Sequence, residues 1–567
     1  MSALQGRLSL AGAAPLGRLM AAFAAGDPGL AAHFPCRFQS SSCWPGLIAS
    51  RLGHALDPAL ARSLLDDHRR LEAPARTLDN LNALAEGRAV AVVTGQQPGP
   101  LGGPLYTWHK TLTAVALARA LERSTGVRAV PVYWNATEDD DFDEIRSAVW
   151  AGVSLELVEG SLPREASEPG RLVGSVSPAR LGPLWAAARA SWANLPGSAR
   201  VARLLDRAAR AAEQGGDLGD VVAALVVHAF GEHGVVILDP RRPAFRAAAL
   251  PVYERYLGAH AEVREAVDRA GDALEALGFA RGLAPPQSEF ALFAVEGEKR
   301  TKLHAHDAPR LLAGHAPRLP VRDAKRPRRP DAKGLAAGQM PTLAPGAMLR
   351  PIVQDYVLPA VALVAGPGEV AYLAQLAGAY RALDVPASVV FPRWSATWLP
   401  REAMAVCAAA SLAPEALVED PDRALEAFFA AGVPADLSQG LARLRENVFR
   451  DLEALGTRAS GFDKSLPELV AATRRRVDYR LRRLAEGLAR KARRQWRHEH
   501  PAAAHLRYYL RPGGRLQERT LAWLDVVARG GAPAEEEALA RASAHVEDAL
   551  HGRPLAHELV ALEDARG

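Results

Sequence analysis

The residues from Ala91 to Lys110, "AVVTGQQPGPLGGPLYTWHK", combine side-chain amides with closely spaced glycines. An apolar run ends at Thr94 and Gly95, and Gln96 and Gln97 follow at once. Glutamine amides both donate and accept hydrogen bonds, and glycines let backbone N–H groups approach a phosphate or a carboxylate. This stretch is therefore predicted to form one wall of a ligand site, with a spacious surface loop as the alternative.

The spacing of these glycines differs from that of the two common nucleotide-binding loops. It lacks the GxGxxG pattern of dinucleotide-binding folds, and no Gly-Lys-Ser/Thr sequence follows as in a P-loop. NAD binding and P-loop hydrolysis are therefore disfavoured. His109 and Lys110 lie in the helical stretch that follows, where such residues more often pack or face solvent than act as catalysts. Lys110 is kept as a candidate for binding substrate or nucleotide.

The stretch "TEDDDFDEI" carries six carboxylates, which are Glu138, Asp139, Asp140, Asp141, Asp143 and Glu144. Crowded carboxylates repel one another, so some must hold a cation or an amine, be protonated, or face water. One interpretation is a grip on a substrate ammonium or on Mg²⁺ bound to a nucleotide. The other, of equal weight, is a solvated helix start whose acids complement the helix dipole. In an extended segment Asp139 and Asp141 alternate with Asp140, so not all three can point into one pocket.

A third candidate is "AGPGE", in which Gly366 and Gly368 precede Glu369. Taken alone, the pattern is typical of a tight turn followed by a first-turn glutamate, with Tyr372 one turn further along the helix. Its position at the end of a predicted central strand favours a ligand-binding loop over a simple turn. Ligands of open α/β sheets bind beyond the carboxyl ends of the strands, where the first loop is also predicted to lie.

Two similar segments position these loops. "RAVAVVTG" predicts a strand, "LYTWHKTLTAVALARALERSTG" a helix, and "VRAVPVYWNATED" a second strand, which together form a βαβ unit with a right-handed crossover. Later in the chain a strand through residues 362–365, a helix over 369–383 and a strand over 388–391 repeat the order. "HGVVILDPRRPAF" predicts one more strand. These elements indicate a single doubly wound parallel sheet.

The predicted fold is a Rossmann-like α/β core with two mostly helical connecting insertions and a C-terminal α-helical coiled-coil domain. The predicted boundaries are 1–154 for the N-terminal helices and the first half of the core, 155–232 for the first insertion, 233–254 for a core strand with its turn, 255–345 for the second insertion, 346–411 for the second half of the core and 412–567 for the coiled coil. Residues 315–347 are rich in proline, glycine and basic residues, which predicts a loop or linker.

From about residue 412 onward the sequence predicts helices and no strands. "SLPELVAATRRRVDYRLRRLAEGLARKARRQWRHEHP" predicts a long charged helix, and "LQERTLAWLDVVARGG" and "EEEALARASAHVEDALHG" predict shorter helical partners for it. Helical hairpins of this kind bury an apolar seam against a partner, so a homodimer through the C-terminal helices is expected.

The composition of the 567-residue chain is that of a soluble protein with several structural units, because single cores stop growing at roughly 250 to 300 residues. The net charge of +5 is weak evidence for a nucleic-acid partner, which is not expected. Cys36, Cys43 and Cys407 are too few for a disulfide framework or a zinc site and are expected to be reduced. No long apolar segment and no secretory signal is evident, so a cytoplasmic protein without a membrane partner is expected.

Four stretches together resemble one family, the bacillithiol biosynthesis cysteine-adding enzymes, which join cysteine to glucosaminyl-malate. The stretches are "VVTGQQPGPLGGPLYTWHK", "PVYWNATEDDDFDEI", "LRPIVQDYVLPAVALVAGPGEVAYLAQL" and "LRPGGRLQERTL", in matching order over most of residues 50–530. The resemblance implies a carbon–nitrogen ligase with a synthetase-like Rossmann core and a dimerising coiled coil. It also implies ATP as the co-substrate that activates the cysteine carboxylate, with Mg²⁺ accompanying it and no tightly bound cofactor.

The resemblance also implies the site residues. The candidate catalytic residues are Gln97, Glu138, Asp139, Asp141 and Glu369. The candidate substrate- and nucleotide-binding residues are Thr94, Gly95, Gln96, Gly102, Gly103, Tyr106, Gln354, Asp355, Gly366, Gly368 and Tyr372, to which Lys110 and Arg393 are added. No metal ligand is assigned.

Two positions depart from the family pattern. The family usually has Glu-Asp-His-Asp in the acidic motif, and Asp140 stands in place of the histidine, the side chain best suited to proton transfer near neutrality. Gly346 stands where an asparagine is common. A diverged ligase with another amino acid or amine substrate therefore remains open. So does an RNA-binding protein without ligase activity, because "RRRVDYRLRRLAEGLARKARRQWRH" is rich in arginine, although acids and leucines between the arginines are equally typical of a solvated helix face.

Overall fold

The computed structural model describes residues 4–12, 17–284, 290–309, 311, 342–431 and 434–562. Within these residues the strands are β1 Leu4–Leu8, β2 Ala89–Gln96, β3 Arg128–Asn135, β4 Ser147–Ala151, β5 Leu157–Ser161, β6 Val236–Leu238, β7 Leu292–Glu296, β8 Lys299–Lys302, β9 Thr342–Pro345, β10 Ala360–Ala365, β11 Val389–Pro392, β12 Ala396–Leu399 and β13 His557–Ala561.

The α-helices are α1 Gly17–Ala24, α2 Cys43–Arg51, α3 Pro58–Arg70, α4 Ala75–Ala85, α5 Leu105–Thr125, α6 Phe142–Ile145, α7 Leu181–Trp192, α8 Ser198–Glu213, α9 Leu218–Phe230, α10 Pro243–Ala276, α11 Arg350–Val357, α12 Pro367–Leu373, α13 Ala377–Ala382, α14 Arg401–Ala410, α15 Pro414–Glu419, α16 Pro421–Ala431, α17 Ala435–Ala459, α18 Leu466–Glu499, α19 Pro501–Leu510 and α20 Trp523–Leu550.

The chain forms two units. The first contains Met1–Val153, Val158–Trp398 and Arg515–Gly567, and the second contains Ser154–Leu157 and Leu399–Gly514. The predicted C-terminal domain, residues 412–567, is therefore divided between them. Its last part returns to the first unit, because α20 and β13 bury apolar side chains there.

A five-stranded parallel sheet in the order β11-β10-β2-β3-β6 is the centre of the first unit. Nearly every residue of β2 and β10 is buried, as expected for β-branched strands covered on both faces. The chain leaves β2 through α5 to β3 on one side, and leaves β10 through α12 and α13 to β11 on the other. The crevice between the carboxyl ends of β2 and β10 is thus the topological switch point. The prediction of a Rossmann-like parallel sheet is confirmed.

Helix α5 lies between the sheet and the C-terminal helix α20. It is buried along most of its 21 residues and ends at Gly126, which has the left-handed backbone conformation (φ 72°) that favours glycine at a helix end. Because α5 is the next helix after β2, its first two turns lie at the switch point.

The insertions add secondary structure that the sequence patterns did not reveal. Strand β4 precedes the predicted start of the first insertion at residue 155 and pairs with β5 inside it, and the insertion continues through α7, α8 and α9. The long helix α10 crosses the predicted boundary between residues 254 and 255, and the second insertion also contains a three-stranded antiparallel sheet, β8-β7-β9, that was not predicted. Most of the proline-rich basic stretch predicted as a linker lies outside the described residues.

The C-terminal part of the first unit corrects two predictions. Strand β13 pairs antiparallel with β1, so the expectation of no strands after residue 412 is wrong. The two segments predicted to accompany the long charged helix form one helix, α20, kinked at Gly531, which packs against α5 and α8. The apolar residues of α20 are buried in this contact with α5 and α8. Strand β13 was missed because it has too few residues to show a periodic pattern in the sequence.

The cysteine prediction also needs correction. Cys36 and Cys43 are paired as a disulfide, because a turn brings their Cα atoms to 5.8 Å. Cys407 is free and buried. Burial raises the pKa of the Cys407 thiol, with Glu415 adding to the effect.

Among its described residues, the second unit consists of helices and the turns between them, together with the short segment Ser154–Leu157. Helices α17 and α18 form an antiparallel hairpin, in which Arg445 of α17 pairs with Asp478 of α18 at 2.8 Å. Neither helix has a buried residue in the part of the chain that the structure describes. None of the helices in the described part of the chain combines the length and apolar character that a membrane span requires.

Candidate active site

A cavity of about 530 Å³ opens at the carboxyl edge of the parallel sheet, over the switch point. The segments after β2, β3, β10 and β11 contribute to its wall, as does the β7–β8 hairpin. Twelve predicted site residues line it: Gly95, Gln96, Gln97, Tyr106, Lys110, Glu138, Asp139, Gly366, Gly368, Glu369, Tyr372 and Arg393. The fold therefore brings together residues from two halves of the chain that are more than two hundred positions apart.

Lys110, on the second turn of α5, connects both sides of the switch point. Its Nζ lies 2.6 Å from Oε2 of Glu369 and donates to the carbonyl of Gly95 and to Oε1 of Gln96, at 3.1 and 3.3 Å. Burial lowers the pKa of Lys110, and Glu369 opposes that effect. Lys110 is thus an internal part of the cavity wall and not a surface residue of α5.

Glu369 is held in its ionised form. Its Oε2 accepts the backbone N–H of Gly366 at 3.0 Å, and its Oε1 lies 3.9 Å from the guanidinium of Arg350. Burial alone would raise the pKa of Glu369, but Lys110 and Arg350 outweigh it and hold the pKa below its ordinary value. Arg350 also donates to the hydroxyl of Tyr372 at 2.6 Å, so it fixes two predicted site residues.

Arg393 reaches the cavity from the end of β11 and is anchored by the C-terminal segment. Its guanidinium donates to both carboxylate oxygens of Glu518, at 2.6 and 2.8 Å, and lies 5.7 Å from the centre of the Tyr106 ring. Both partners are almost fully buried. Burial would raise the pKa of Glu518, but Arg393 and His109 hold it well below its ordinary value. His109 is therefore a buried hydrogen-bond partner of this ion pair, with its Nδ1 3.1 Å from Oε2 of Glu518.

The acidic segment after β3 is divided among several partners. Arg300 of β8 contacts Asp139 at 2.6 Å, forms an ion pair with Asp140, and donates to the backbone carbonyl of Glu138 at 3.0 Å. Its guanidinium stacks over the ring of Phe293 at 4.3 Å. Asp140, which stands where the family pattern has a histidine, is thus committed to a salt bridge with the second insertion.

Glu138 and Gln97 are buried side chains of the cavity wall. Nε2 of Gln97 donates to Asp139 at 2.7 Å, whereas Oε1 of Gln97 and Oε1 of Glu138 have no hydrogen-bond partner among the described residues. Burial raises the pKa of Glu138 to about 8, although Arg300 and Arg350 act in the opposite direction. A buried carboxyl that titrates near neutrality is a frequent property of acid–base groups in enzymes.

The glycine-rich loop contributes less of the cavity than its composition suggested. Gly102 and Gly103 have positive φ angles, and an added Cβ would come within 2.4 Å of Trp523 and 2.8 Å of Thr107, respectively. The first N–H of α5, at Leu105, donates to the carbonyl of Leu521. These two glycines thus permit close packing against the C-terminal segment and do not line the cavity.

Four more predicted site residues lie away from the cavity wall: Thr94, Asp141, Gln354 and Asp355. The hydroxyl of Thr94 donates to the carbonyl of Val364 and joins β2 to β10. Asp141 caps α6 by accepting the N–H of Glu144. Asp355 accepts from Gln354, from the hydroxyl of Tyr380 and from the N–H of Ser388, and burial raises its pKa.

Four cationic residues of the wall were missed by sequence reasoning: Arg300, Lys302, Arg350 and Arg519. Arg300 and Lys302 lie in "FAVEGEKRTK", whose central glycine between alternating apolar residues is a hairpin signal that could have revealed β7 and β8. Arg350 and Arg519 lie within stretches that carry the family resemblance. Among the described residues no group of three or more His, Cys, Asp or Glu side chains could hold a metal ion.

Comparison with known proteins identifies the family of the chain. The family model described as bacillithiol biosynthesis BshC, N-terminal Rossmann-like domain, matches residues 9–394, and the model of the BshC C-terminal coiled-coil domain matches residues 396–533. The chain belongs to the BshC family. This confirms the family inferred from the sequence and its two-part architecture.

BshC family members from distant bacteria match most of the chain. A protein of Geobacillus kaustophilus named "Putative cysteine ligase BshC" is 30% identical over 477 residues, which cover 81% of this chain and 83% of that protein. One of the same name from Salinibacter ruber is 30% identical over 512 residues, covering 87% and 88%. Another, from Solibacter usitatus, is 29% identical over 463 residues, covering 80% and 82%. These names agree with the prediction of a ligase in bacillithiol biosynthesis.

Proposed function

We propose that the protein joins the carboxyl group of L-cysteine to the amine of glucosaminyl-malate, with ATP activating the carboxyl group. Membership of the BshC family and the names of the relatives support the ligase class. The main structural support for the proposal is the cavity at the switch point, whose wall presents two kinds of side chain to a ligand.

The first kind is cationic. Lys110, Arg350 and Arg393 lie along one part of the wall, and Arg519 lies at its exposed margin. Guanidinium and ammonium groups bind carboxylate and phosphate through charge-assisted hydrogen bonds. An activated cysteine and the malate part of the acceptor both carry such groups. The second kind consists of the acceptors Gln97 and Glu138, which suit the hydrogen-bond donors of an amine.

ATP fits this proposal because a free carboxylate is a poor electrophile toward an amine. Either an adenylate or an acyl phosphate would supply a leaving group, and the cations of the wall would stabilise the negative charge that develops on it. The Gly366–Gly368 turn leaves open space at Gly368, where an added Cβ would meet no atom within 4 Å, whereas a Cβ added to Gly366 would come within 3.0 Å of Nε of Arg393. Asp139 and Asp140 are already paired with Arg300. Mg²⁺ would therefore be held mainly by the nucleotide phosphates that it accompanies.

The direct test is turnover by the purified full-length chain. The protein is incubated with L-cysteine, glucosaminyl-malate and MgATP, and the thiol product is detected by mass spectrometry. The nucleotide products decide the chemistry, because AMP with pyrophosphate indicates an adenylate and ADP with phosphate an acyl phosphate. Deletion of the gene should remove the cysteinyl thiol and accumulate glucosaminyl-malate; an unchanged thiol pool would contradict the proposal.

A diverged ligase with another amino acid or amine is the second candidate. The observation that favours it is the salt bridge of Asp140 with Arg300, at the position where the family pattern has histidine. Substrate competition distinguishes the two candidates. If serine, alanine or another amino acid is incorporated faster than cysteine at equal concentration, the cysteine assignment is replaced.

The proposal includes a homodimer formed by the helical hairpin of the second unit. Large apolar side chains are exposed along both helices of the hairpin, namely Leu437, Leu444, Leu455, Leu469 and Leu484. A coiled-coil seam buries leucines at this kind of spacing when a second pair of helices covers it. A second copy of the chain is the proposed cover.

A further inference from the structure

Two acceptor atoms in the cavity wall lack a donor. Oε1 of Glu138 and Oε1 of Gln97 are buried and have no hydrogen-bond partner among the described residues, and their side chains are only 4% and 8% exposed. A buried acceptor without a donor loses its hydration and gains nothing in return, which is costly. A ligand that brings N–H donors would satisfy both.

We propose that Gln97 and Glu138 form the subsite for the nucleophilic amine, and that Glu138 is the base that removes its proton. The inference rests on the proposed ligase function. The amine enters as an ammonium, and one N–H bond breaks as its proton passes to a carboxylate oxygen of Glu138. The freed nitrogen lone pair then attacks the activated cysteine carbonyl. The C–N bond forms, the bond from carbon to the phosphate or adenylate oxygen breaks, and the leaving group departs with that electron pair. A phosphate oxygen of the leaving group takes the second proton that the nitrogen must lose to become an amide.

Three other carboxylates line the wall, namely Asp139, Glu144 and Glu369, and Glu144 is hydrogen-bonded to Gln97. Glu369 contacts Lys110 and accepts the N–H of Gly366, and these contacts hold it ionised. Asp139 is paired with Arg300 and accepts from Gln97. Asp139 and Glu369 would each have to give up a short charge-assisted contact before accepting a proton from a substrate, and Glu144 would have to give up its hydrogen bond with Gln97. Glu138 carries no such ion pair on its carboxyl group, because Arg300 binds only its backbone carbonyl.

The orientation of Gln97 follows from the chemistry of its partner. The carboxylate of Asp139 only accepts, so the atom of Gln97 that lies 2.7 Å from it must be the amide nitrogen. The amide oxygen is therefore the atom left for a donor from the ligand. Asp139 thus acts as a positioning residue, which Arg300 in turn fixes.

The charged surroundings of Glu138 allow its protonation to change with the ligand. Arg300, Arg350 and Arg246 favour the carboxylate, whereas burial and Asp239 favour the acid, and Tyr253 is the further titratable neighbour. The balance leaves the pKa near neutrality in the free protein. A bound ammonium adds a positive charge beside the carboxyl group and lowers its pKa, so an ionised Glu138 can form when the amine is bound.

Binding to the full-length protein tests the subsite without requiring turnover. Glucosaminyl-malate is compared by titration calorimetry with its N-acetyl form, which lacks the basic amine. The wild type should bind the amine form about tenfold more tightly, the difference expected for a hydrogen bond to a charged group. Glu138→Gln should lose that preference and keep its affinity for the N-acetyl form. Asp143→Asn is the matched control, since it removes one exposed carboxylate from the same segment and should keep the preference.

Turnover tests the base. In the wild type kcat/KM should rise with pH to a plateau as Glu138 ionises, whereas Glu138→Gln should lose about 10² to 10⁴ in kcat, together with this rise. Glu138→Asp should recover part of the rate. If Glu138→Gln does not fold, Gln97→Leu takes its place and should reduce the preference for the amine form. If the wild type makes product and Glu138→Gln keeps both the preference for the amine form and the wild-type rate, the role of Glu138 is wrong. The proposed ligase function would stand in that case. A wild type that neither binds glucosaminyl-malate nor makes product overturns the proposed function and the inference with it.

Discussion

Nζ of Lys110 lies 2.6 Å from Oε2 of Glu369, and this contact joins the segment after β2 to the segment after β10. These strands are neighbours whose following helices leave in opposite directions, so the ion pair spans the point at which the sheet can hold a ligand. Both side chains are largely buried. The pair therefore contributes to the shape of the cavity as well as to its charge.

The loss of one member of this pair should destabilise the protein. Lys110→Met leaves Glu369 with Arg350, whereas Glu369→Gln leaves Lys110 near two arginines and without the carboxylate that it contacts. We expect the second change to cost more, about 3 to 5 kcal/mol, the usual penalty for an uncompensated buried charge. Urea unfolding of both variants measures this. The double variant K110M/E369Q should recover part of the stability but no product formation, and a loss in the double variant equal to the sum of the two single losses would show that the charges are not coupled.

The pKa of Glu138 gives a pH-dependent prediction for stability. Below the ordinary pKa of 4.5 the folded and unfolded chains both hold the proton. Between that pH and about 8 the unfolded chain loses a proton that the folded chain keeps, so stability falls as pH rises. Glu138→Gln removes this penalty and should stabilise the protein by about 4 kcal/mol more at pH 8.5 than at pH 5. Unfolding curves at the two pH values test it, with Asp143→Asn as the control for which no such difference is expected.

The ion pair of Arg393 with Glu518 should be a major contribution to stability. Glu518→Gln leaves a buried guanidinium with reduced compensation, and we expect a loss of about 3 to 5 kcal/mol together with loss of product formation, because Arg393 lines the cavity. In the wild type this contribution is lost as pH falls through the depressed pKa of Glu518. Asp66→Asn, which breaks an exposed contact with Arg69, should cost less than about 0.5 kcal/mol. Similar losses in the two variants would contradict the assignment.

Arg300 and Asp140 should differ sharply in importance. Arg300→Met removes the donor to Asp139 and to the backbone of Glu138, so we expect kcat/KM to fall at least about tenfold, the equivalent of 1.4 kcal/mol. Asp140→Asn leaves those two contacts in place and should change kcat/KM by less than about threefold. Steady-state kinetics on both variants make the comparison. A larger effect of Asp140→Asn would mean that this position takes part in the chemistry despite the missing histidine.

The homodimer prediction concerns the outward leucines of the hairpin. Leu444→Glu with Leu484→Glu should convert the protein to monomers, because charges in a coiled-coil seam are not compensated there. Sedimentation velocity measures the mass. Gln439→Glu with Ala471→Glu adds the same charge at exposed positions about 140° or more away from these leucines around α17 and α18, and should leave the mass unchanged. A wild type that is monomeric at micromolar concentration contradicts the prediction at once.

The sequence predicted those elements whose patterns are local. The β-branched run before Gly95 and the helix stopped at Gly126 have the expected structure, because backbone and burial preferences agree over long segments there. The antiparallel sheet of the second insertion was missed. Its strands are four or five residues long, and β9 is separated from β8 by a long stretch of chain.

The candidate site was predicted where loops follow parallel strands, since topology alone brings strand ends together. Gln97, Lys110 and Glu369 belong to this group. Composition could not separate residues that face the cavity from those that support it. Gly102 needs its missing Cβ because of Trp523, a residue more than four hundred positions later, and only the folded structure reveals such a contact.

Glu518 and Arg519 complete the first unit, yet the ribosome synthesises the whole of Leu399–Gly514 before it reaches them. Chains fold as they emerge, so the parallel sheet can form while Arg393 still lacks its carboxylate partner. The cavity is finished only near the end of translation. A chain that stops anywhere before residue 515 would retain Gln97, Glu138 and Glu369 but would lack Arg519 and the carboxylate that anchors Arg393.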